Sequence, residues 1–257
     1  MDWVILGLAG FLGGMLNAIA GGGSFITLPA LIFVGVPPVA ANATGTAALL
    51  PGYIASAWRF RKDVELPANL SFIKISIIAI MGGCLGAIAL LMSSETIFSS
   101  LIPWLILFAT IAFIIGPLLV QSKTKNVQSV AFEHKPSQHK VLTSALIIFC
   151  VCMYGGYFNG GLGIILLAAL GLMGQTNLHG MNGLKNVLSA LLTAVAVCVY
   201  AVGDTISFKY LLVLSIAAII GGYLGASIAY RVSQKYLRYF IVVVGFLMSA
   251  AFFFKNA

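Results

Sequence analysis

From Trp3 to Trp58 the chain contains no Asp, Glu, Lys or Arg, and comparable charge-free runs cover Thr96 to Ser122, Val141 to Leu184 and Tyr210 to Tyr230. Each reaches or exceeds the roughly 20 apolar residues that a helix needs to cross the hydrocarbon core of a bilayer. Backbone inside lipid must satisfy its own hydrogen bonds, so runs of this kind are expected to be helices. Only 8% of the 257 residues are charged and 61% are hydrophobic, against about 25% charged in an ordinary soluble domain. The expectation is an all-α, polytopic membrane protein, a single transmembrane domain over residues 1–257 with the lipid bilayer as its surroundings.

The formal net charge of +8 does not point to nucleic acid. Three basic residues fall in Arg59 to Lys62, four in Gln121 to Lys140 and three in Arg231 to Arg238. These are short connections between apolar runs, where basic residues set membrane orientation. Ala18-Ile19-Ala20 has the look of a leader cleavage site, but the apolar run continues past it and no basic stretch precedes it. The first segment is expected to be retained.

The two halves match at nearly constant offset. "GGMLN" from Gly13 matches "GGYFN" from Gly155 at 142; "ANATGT" from Ala41 matches "MNGLKN" from Met181 at 140; "IMGGCLGA" from Ile80 matches "IIGGYLGA" from Ile219 at 139. An internal duplication is expected, with repeat one at 1–120, a cytoplasmic connector at 121–140 and repeat two at 141–257. Each half has a first apolar segment (Trp3 to Ala20; Val141 to Phe158), a glycine cluster, and a short piece (Phe25 to Val34; Ile164 to Met173). Three longer segments follow: Val39 to Trp58, Leu70 to Met92 and Ile97 to Val120, then Gly180 to Ala201, Tyr210 to Tyr230 and Tyr236 to Phe254. If the connector and Arg59 to Lys62 are inside, Arg231 to Arg238 is inside while its mate Ser93 to Thr96 is outside. Opposite sidedness of equivalent loops marks inverted-topology repeats. Inversion requires each broken first segment to act with its short partner as one re-entrant element, giving about four helical elements per repeat.

Glycines at Gly82, Gly83 and Gly86, and at Gly221, Gly222 and Gly225, suit close helix packing. Gly21-Gly22-Gly23-Ser24 does not, because consecutive glycines break a helix. A break at membrane depth is tolerated only where protein or a water-filled cavity receives it, and corresponding breaks in both halves point to a transport site.

The six acids, Asp2, Asp63, Glu65, Glu95, Glu133 and Asp204, all lie at the chain start or in connections, leaving no carboxylate for a deep cation site. Lys185 is different: it opens a long helix between two asparagines, and Asn182, Lys185, Asn186 and Ser189 share one helical face. Its repeat partner carries Asn42, Gly45, Thr46 and Leu49 on the equivalent face, with Thr44 between. Amide and hydroxyl donors, helix amino termini and one cation make chemistry for a small anion. Backbone and side-chain donors at Asn17, Gly22, Gly23 and Ser24, and at Asn159, Gly160 and Gly161, can add to it. The competing role for Lys185 is snorkelling, in which the stem lifts the ammonium to the interface; for Lys74 that is the favoured role. His179 suits a loop or cap. For Asn17 and Asn159, repairing freed backbone and touching substrate stand level.

Cys84, Cys150, Cys152 and Cys198 sit in apolar runs and read as small hydrophobes. No GxxxxGK[ST], HExxH or paired carboxylates occur, so neither nucleotide hydrolysis nor a bound cofactor or metal is expected.

"GGMLNAIAGGGSFITLPAL", "VPPVAANATGTAAL", "WRFRKDVEL", "GGYFNGGLGIILLAAL" and "MNGLKNVLSALLTA", in that order, resemble the TauE/SafE sulfite exporter family over nearly the whole chain. The resemblance implies a transporter of small sulfur anions, such as sulfite, organosulfonates or sulfoacetate-like compounds, in the cytoplasmic membrane of a prokaryote, and not an enzyme. It places the family's repeated motifs on Asn17 and Gly21 to Ser24, Asn42 to Thr46, Asn159 to Gly163 and Asn182 to Asn186. The partners expected are a small anionic substrate and lipid, with a homodimer as the oligomer allowed for. Two alternatives stay open at this point: an integral-membrane enzyme or cofactor protein using Cys150, Cys152, His179 or Lys185, and an anion channel.

Overall fold

The computed structural model describes residues 1–67, 70–127, 138–228 and 234–256. Among them the chain forms ten helices and no strand. They are α1 (Asp2–Ala20), α2 (Ser24–Phe33), α3 (Pro38–Arg59), α4 (Phe72–Leu91) and α5 (Glu95–Val127), then α6 (Gln138–Tyr157), α7 (Leu162–Leu172), α8 (Leu178–Val202), α9 (Phe208–Ile228) and α10 (Gln234–Asn256). The all-helical polytopic expectation holds, and each predicted segment has its helix. The centre of the expected connector, 128–137, and residues 231–233 of the expected basic loop lie outside the described residues.

Local chemistry sets the boundaries. Gly21 ends α1 with φ 83°, its N–H bonded to Asn17 O and Leu16 O, a left-handed terminus that glycine adopts without steric cost. Pro37 and Pro38 open α3, where a missing N–H costs nothing. Asn177 caps α8, its side chain accepting from the His179 and Gly180 N–H groups.

Among the described residues, five helical stretches are long and apolar enough to cross a membrane: Asp2–Ile19, Phe72–Leu91, Glu95–Ala112, His179–Val202 and Phe208–Ile228. Helix α3 has the length, 22 residues, but spends its apolar character on an inward polar face that buries Asn42, Thr44, Thr46 and Ser56. Helices α4 and α9 turn Ile77, Met81, Leu85, Ile88, Leu212, Ile216, Ile220 and Leu224 outward, the apolar surface that a bilayer covers.

Glycines set the registers. Along α1 and α9, Trp3 meets Tyr210 with ring centroids 5.6 Å apart. Cβ atoms on Gly10 and Gly225 would press on the Leu214 and Met15 backbones at 2.7 and 2.6 Å, so the two helices run parallel. By the same kind of contact, Gly52 of α3 lies against Ala218 of α9 and Ser56 Oγ donates to Gly222 O. Gly82 of α4 lies against Phe149 and Cys152 of α6, and Gly83 against Leu192 of α8, with Leu91 reaching Gly203. The glycine triplets of α4 and α9 are thus packing residues. Helices α1, α3 and α9 share one direction, and α4, α6 and α8 share another.

Pairings also come in matched sets. Helix α1 packs on α9 as α6 packs on α4, α3 on α9 as α8 on α4, and α3 on α8 and α5 on α10. Helix α3 starts beside the end of α8, where Ser207 N donates to Thr44 Oγ1 at 2.8 Å. Helix α8 starts beside the end of α3, where Gly180 and Gly183 lie against Asp63, Val64, Glu65 and Phe60. The two are antiparallel, and each one's amino end is covered by the connection that follows the other.

Candidate functional site

The short helices fold back. Gly13 lies on Thr27 and Gly23, with a Cβ there 2.7 Å from Thr27 Cγ2, so α2 returns along the last turns of α1. Gly155 similarly receives Leu162 from the start of α7. The α7 turn uses Gly161 in the left-handed region at φ 74°. The two breaks meet: a Cβ on Gly163 would stand 2.5 Å from Gly21 Cα. At this crossing α1 and α6 end and α2 and α7 begin, bringing two helix amino termini with their positive dipole ends to one place.

Lys185 enters the crossing from α8. It is 0% exposed, which excludes snorkelling. Its stem passes Gly163, whose Cβ would lie 3.0 Å from Lys185 Cδ. The ammonium donates to Asn17 O at 3.2 Å and Ala18 O at 3.1 Å, the negative end of α1. An ammonium has three donors, so one has no partner among the described residues. The matched residue, Gly45, serves helix packing instead. It admits α2, with Thr27 Oγ1 3.2 Å from where its Cβ would be.

The end of α6 is treated in parallel fashion with neutral groups. Asn42 Nδ2 donates to Tyr157 O at 3.1 Å and the Tyr200 hydroxyl donates to Gly156 O. Tyr154 steadies the break itself by donating to Gly160 O at 2.7 Å. Each half's break is therefore held by a side chain from the opposite half's α3 or α8.

Tyr53 joins the halves at the centre. Its hydroxyl donates to Asn159 Oδ1 at 3.0 Å, and the Asn17 and Ser189 side chains flank the same hydroxyl. Sequence reasoning passed over it, although Asn42, Thr46, Leu49 and Tyr53 recur on one face at helical spacing, and that spacing was the signal available.

On the helices that meet here, many buried polar atoms have no partner among the described residues. Asn17 Oδ1, Asn42 Oδ1, Asn182 Oδ1, Asn186 Oδ1, Asn159 Nδ2 and the hydroxyls of Ser24, Thr46, Ser189 and Thr193 are buried with no partner among the described residues. Buried polar atoms are normally paired, so such a cluster is a place for water or ligand. Lys185, Asn17, Ser189, Tyr53 and Asn159 are linked by direct contact, and Asn182 and Asn186 flank Lys185 on α8. Gly22 and Gly23 form the first break, where Gly23 lies on Asn17, and Gly160 and Gly161 form the second. Thr44 stands apart, committed to Ser207.

Outside the crossing, Lys74 is exposed near the start of α4 and His179 is exposed at the start of α8. Cys150 and Cys198 are exposed and Cys152 is buried, all as free thiols. No cluster of His, Cys, Asp and Glu able to hold a metal occurs among the described residues.

The profile of the family described as Sulfite exporter TauE/SafE matches residues 6–252. A probable membrane transporter protein of Haemophilus influenzae is 29% identical over 248 residues, covering 96% of this chain and 92% of its own length. The probable membrane transporter protein YfcA of Escherichia coli K12 is 25% identical over 255 residues, 98% and 90% of the two chains. A Sinorhizobium protein, probable membrane transporter protein ORF9, is 24% identical over 251 residues, 94% and 88%. No solved structure matches the chain.

Proposed function

The chain belongs to the TauE/SafE sulfite exporter family of membrane transporters, and from that premise we propose that it is a secondary transporter of small sulfur-containing anions, sulfite, an organosulfonate or a sulfoacetate-like compound, rather than an enzyme. The observation that carries this reading is Lys185: a fully buried basic side chain bonded to two backbone carbonyls, with no acid beyond the first turn of a helix among the described residues. Burying a charge costs several kcal/mol even after relaxation. Two carbonyls offset part of that cost, and a bound anion offsets more. A sulfonate or sulfite group accepts several hydrogen bonds at once, which suits the free ammonium donor, the Ser189 and Thr46 hydroxyls, the Asn159 amide and the amino ends of α2 and α7.

The matched pairings and opposite helix directions support treating 1–120 and 141–257 as inverted repeats joined by a cytoplasmic connector. Alternating access then follows from movement of the α1–α2 and α6–α7 hairpins against the antiparallel α3–α8 pair. The connections over the ends of α3 and α8 act as the two gates. The host membrane in this reading is the inner membrane of a prokaryote.

The test is purified protein in sealed liposomes, assayed for sulfite, sulfonate and sulfoacetate movement under imposed anion and proton gradients. Transport with saturable counterflow is expected, since counterflow marks a carrier and its absence a channel. Lys185→Met is expected to weaken anion binding by roughly 10- to 100-fold, the worth of a charge-assisted hydrogen bond. Failure of every such anion to move under every gradient would falsify the reading.

A further inference from the structure

Where a helix stops inside a membrane protein, its last carbonyls are unpaired oxygens at the negative end of a dipole, and such ends coordinate coupling cations in transporters with broken helices. At the end of α1 the Asn17 and Ala18 carbonyls converge on the Lys185 ammonium, at 3.2 and 3.1 Å. At the end of α6 the matching carbonyls receive neutral donors, Asn42 Nδ2 and the Tyr200 hydroxyl. The two ends differ by one basic side chain, because the repeat mate of Lys185 is Gly45. We propose that Lys185 is a tethered cation filling a monovalent-cation site at the end of α1, and that transport by this chain needs neither sodium nor potassium.

Three features support the assignment. The atoms it meets are neutral oxygens, the two carbonyls, and on the same two helices buried Asn17, Asn182 and Asn186 each keep an Oδ1 without a partner among the described residues. Oxygen-only ligand sets suit hard cations. The stem occupies space as well as carrying charge. Lys185 Cδ packs on Gly163 at the junction of the two breaks, so truncation to alanine opens a buried void beside those oxygens, large enough in kind for a small hydrated ion or a primary ammonium. The pairing is also one-sided: among the described residues Lys185 answers helix-end carbonyls and no carboxylate.

A tethered cation never leaves its site, so it cannot draw energy from an ion gradient there. That consequence rests on the transporter reading, whereas the site itself does not. The driving forces left are the anion gradient, the membrane potential and protons.

The experiment compares wild type with Lys185→Ala by thermal unfolding in detergent. Lithium, sodium, potassium, methylammonium, ethylammonium and tetramethylammonium chlorides are each set against N-methyl-D-glucamine chloride at equal ionic strength. The variant is expected to gain a saturable upward shift on the order of 5 °C with one alkali ion or with a primary ammonium. Tetramethylammonium, which has no N–H to give the two carbonyls, is expected to do nothing, and wild type to respond to none. A flat response in the variant, or an equal response in wild type, overturns the proposal. Should Lys185→Ala fail to fold in plain buffer, the same salts are supplied during extraction. Recovery of folded protein with ethylammonium or the favoured ion supports the site, and recovery with none overturns it. Anion exchange by wild type in sodium- and potassium-free medium is expected to proceed at an unchanged rate, and a loss of more than about tenfold on omitting either ion overturns the second half of the proposal. If no anion is exchanged in any medium, the functional reading fails while the thermal comparison still decides the site.

Discussion

Gly21 and Gly163 touch backbone to backbone, although they belong to different halves of the chain, Gly21 ending α1 and Gly163 lying in the first turn of α7. A Cβ on Gly163 would meet Gly21 Cα at 2.5 Å and Lys185 Cδ at 3.0 Å. Gly163→Ala is therefore expected to cost about 1–3 kcal/mol through overpacking and to impair transport, read as a fall in unfolding temperature and in vesicle flux. Gly7→Ala is the contrast. Among the described residues its Cβ would meet only Val213 Cγ1, at 4.0 Å, outside its own helix, and alanine favours helix by up to about 1 kcal/mol, so stability is expected to hold or rise.

Removing the Tyr53 hydroxyl strips Asn159 Oδ1 of its bond across the halves. Tyr53→Phe is expected to destabilise by about 1–3 kcal/mol, the cost of an orphaned buried acceptor. It should also loosen the second break, detectable as faster amide exchange at Asn159 to Gly161. Unchanged exchange there would show that the bond does not hold the turn.

Glu95, at the start of α5, accepts from the Val39 N–H at 2.9 Å and so caps α3 from outside its own helix. Glu95→Ala is expected to cost about 0.5–2 kcal/mol, with greater exchange at the first turn of α3. Glu95→Gln should retain the bond and lose only the charge–dipole part, a smaller effect.

Lys62 and Asp204 are both exposed and lie at opposite ends of the antiparallel α3–α8 pair. In a background without Cys84, Cys150, Cys152 and Cys198, Lys62→Cys and Asp204→Cys are expected to react with an impermeant thiol reagent from opposite faces of the membrane. From the basic run Arg59 to Lys62, Lys62 is expected to be labelled from the cytoplasmic face. Labelling of both from one face would rule out the inverted arrangement.

Much of the fold was legible because lipid restricts a chain to few options: an apolar run of sufficient length is a helix, and three glycines in such a run end it. The segment limits deduced from charge and glycine lie close to the observed helices, except that α5 runs on to Val127 and α6 begins at Gln138, where polar residues continue a helix without marking it. The polar face of Asn182, Lys185, Asn186 and Ser189 was legible from spacing, and its burial follows. What holds Lys185 was not, since its partners are the main-chain oxygens of Asn17 and Ala18, and a carbonyl leaves no trace in residue identity. Tyr53 was missed for a related reason. Its partner lies 106 residues away, and a lone tyrosine in an apolar run looks like a headgroup anchor until the facing half is in place. Thr44 looked like part of the same polar face, but its hydroxyl holds the α8–α9 connection.

The parallel packing of α1 on α9 and of α6 on α4 has a consequence for how the chain is made. Helix α1 leaves the ribosome about 190 residues before its main partner, α9. It must wait in the bilayer with Gly10 and Gly14 uncovered until α9 is inserted, and neither half alone contains both members of either seam. Synthesised as two separate polypeptides, the halves should be degraded singly and persist only when made together, as obligate partners of opposite orientation.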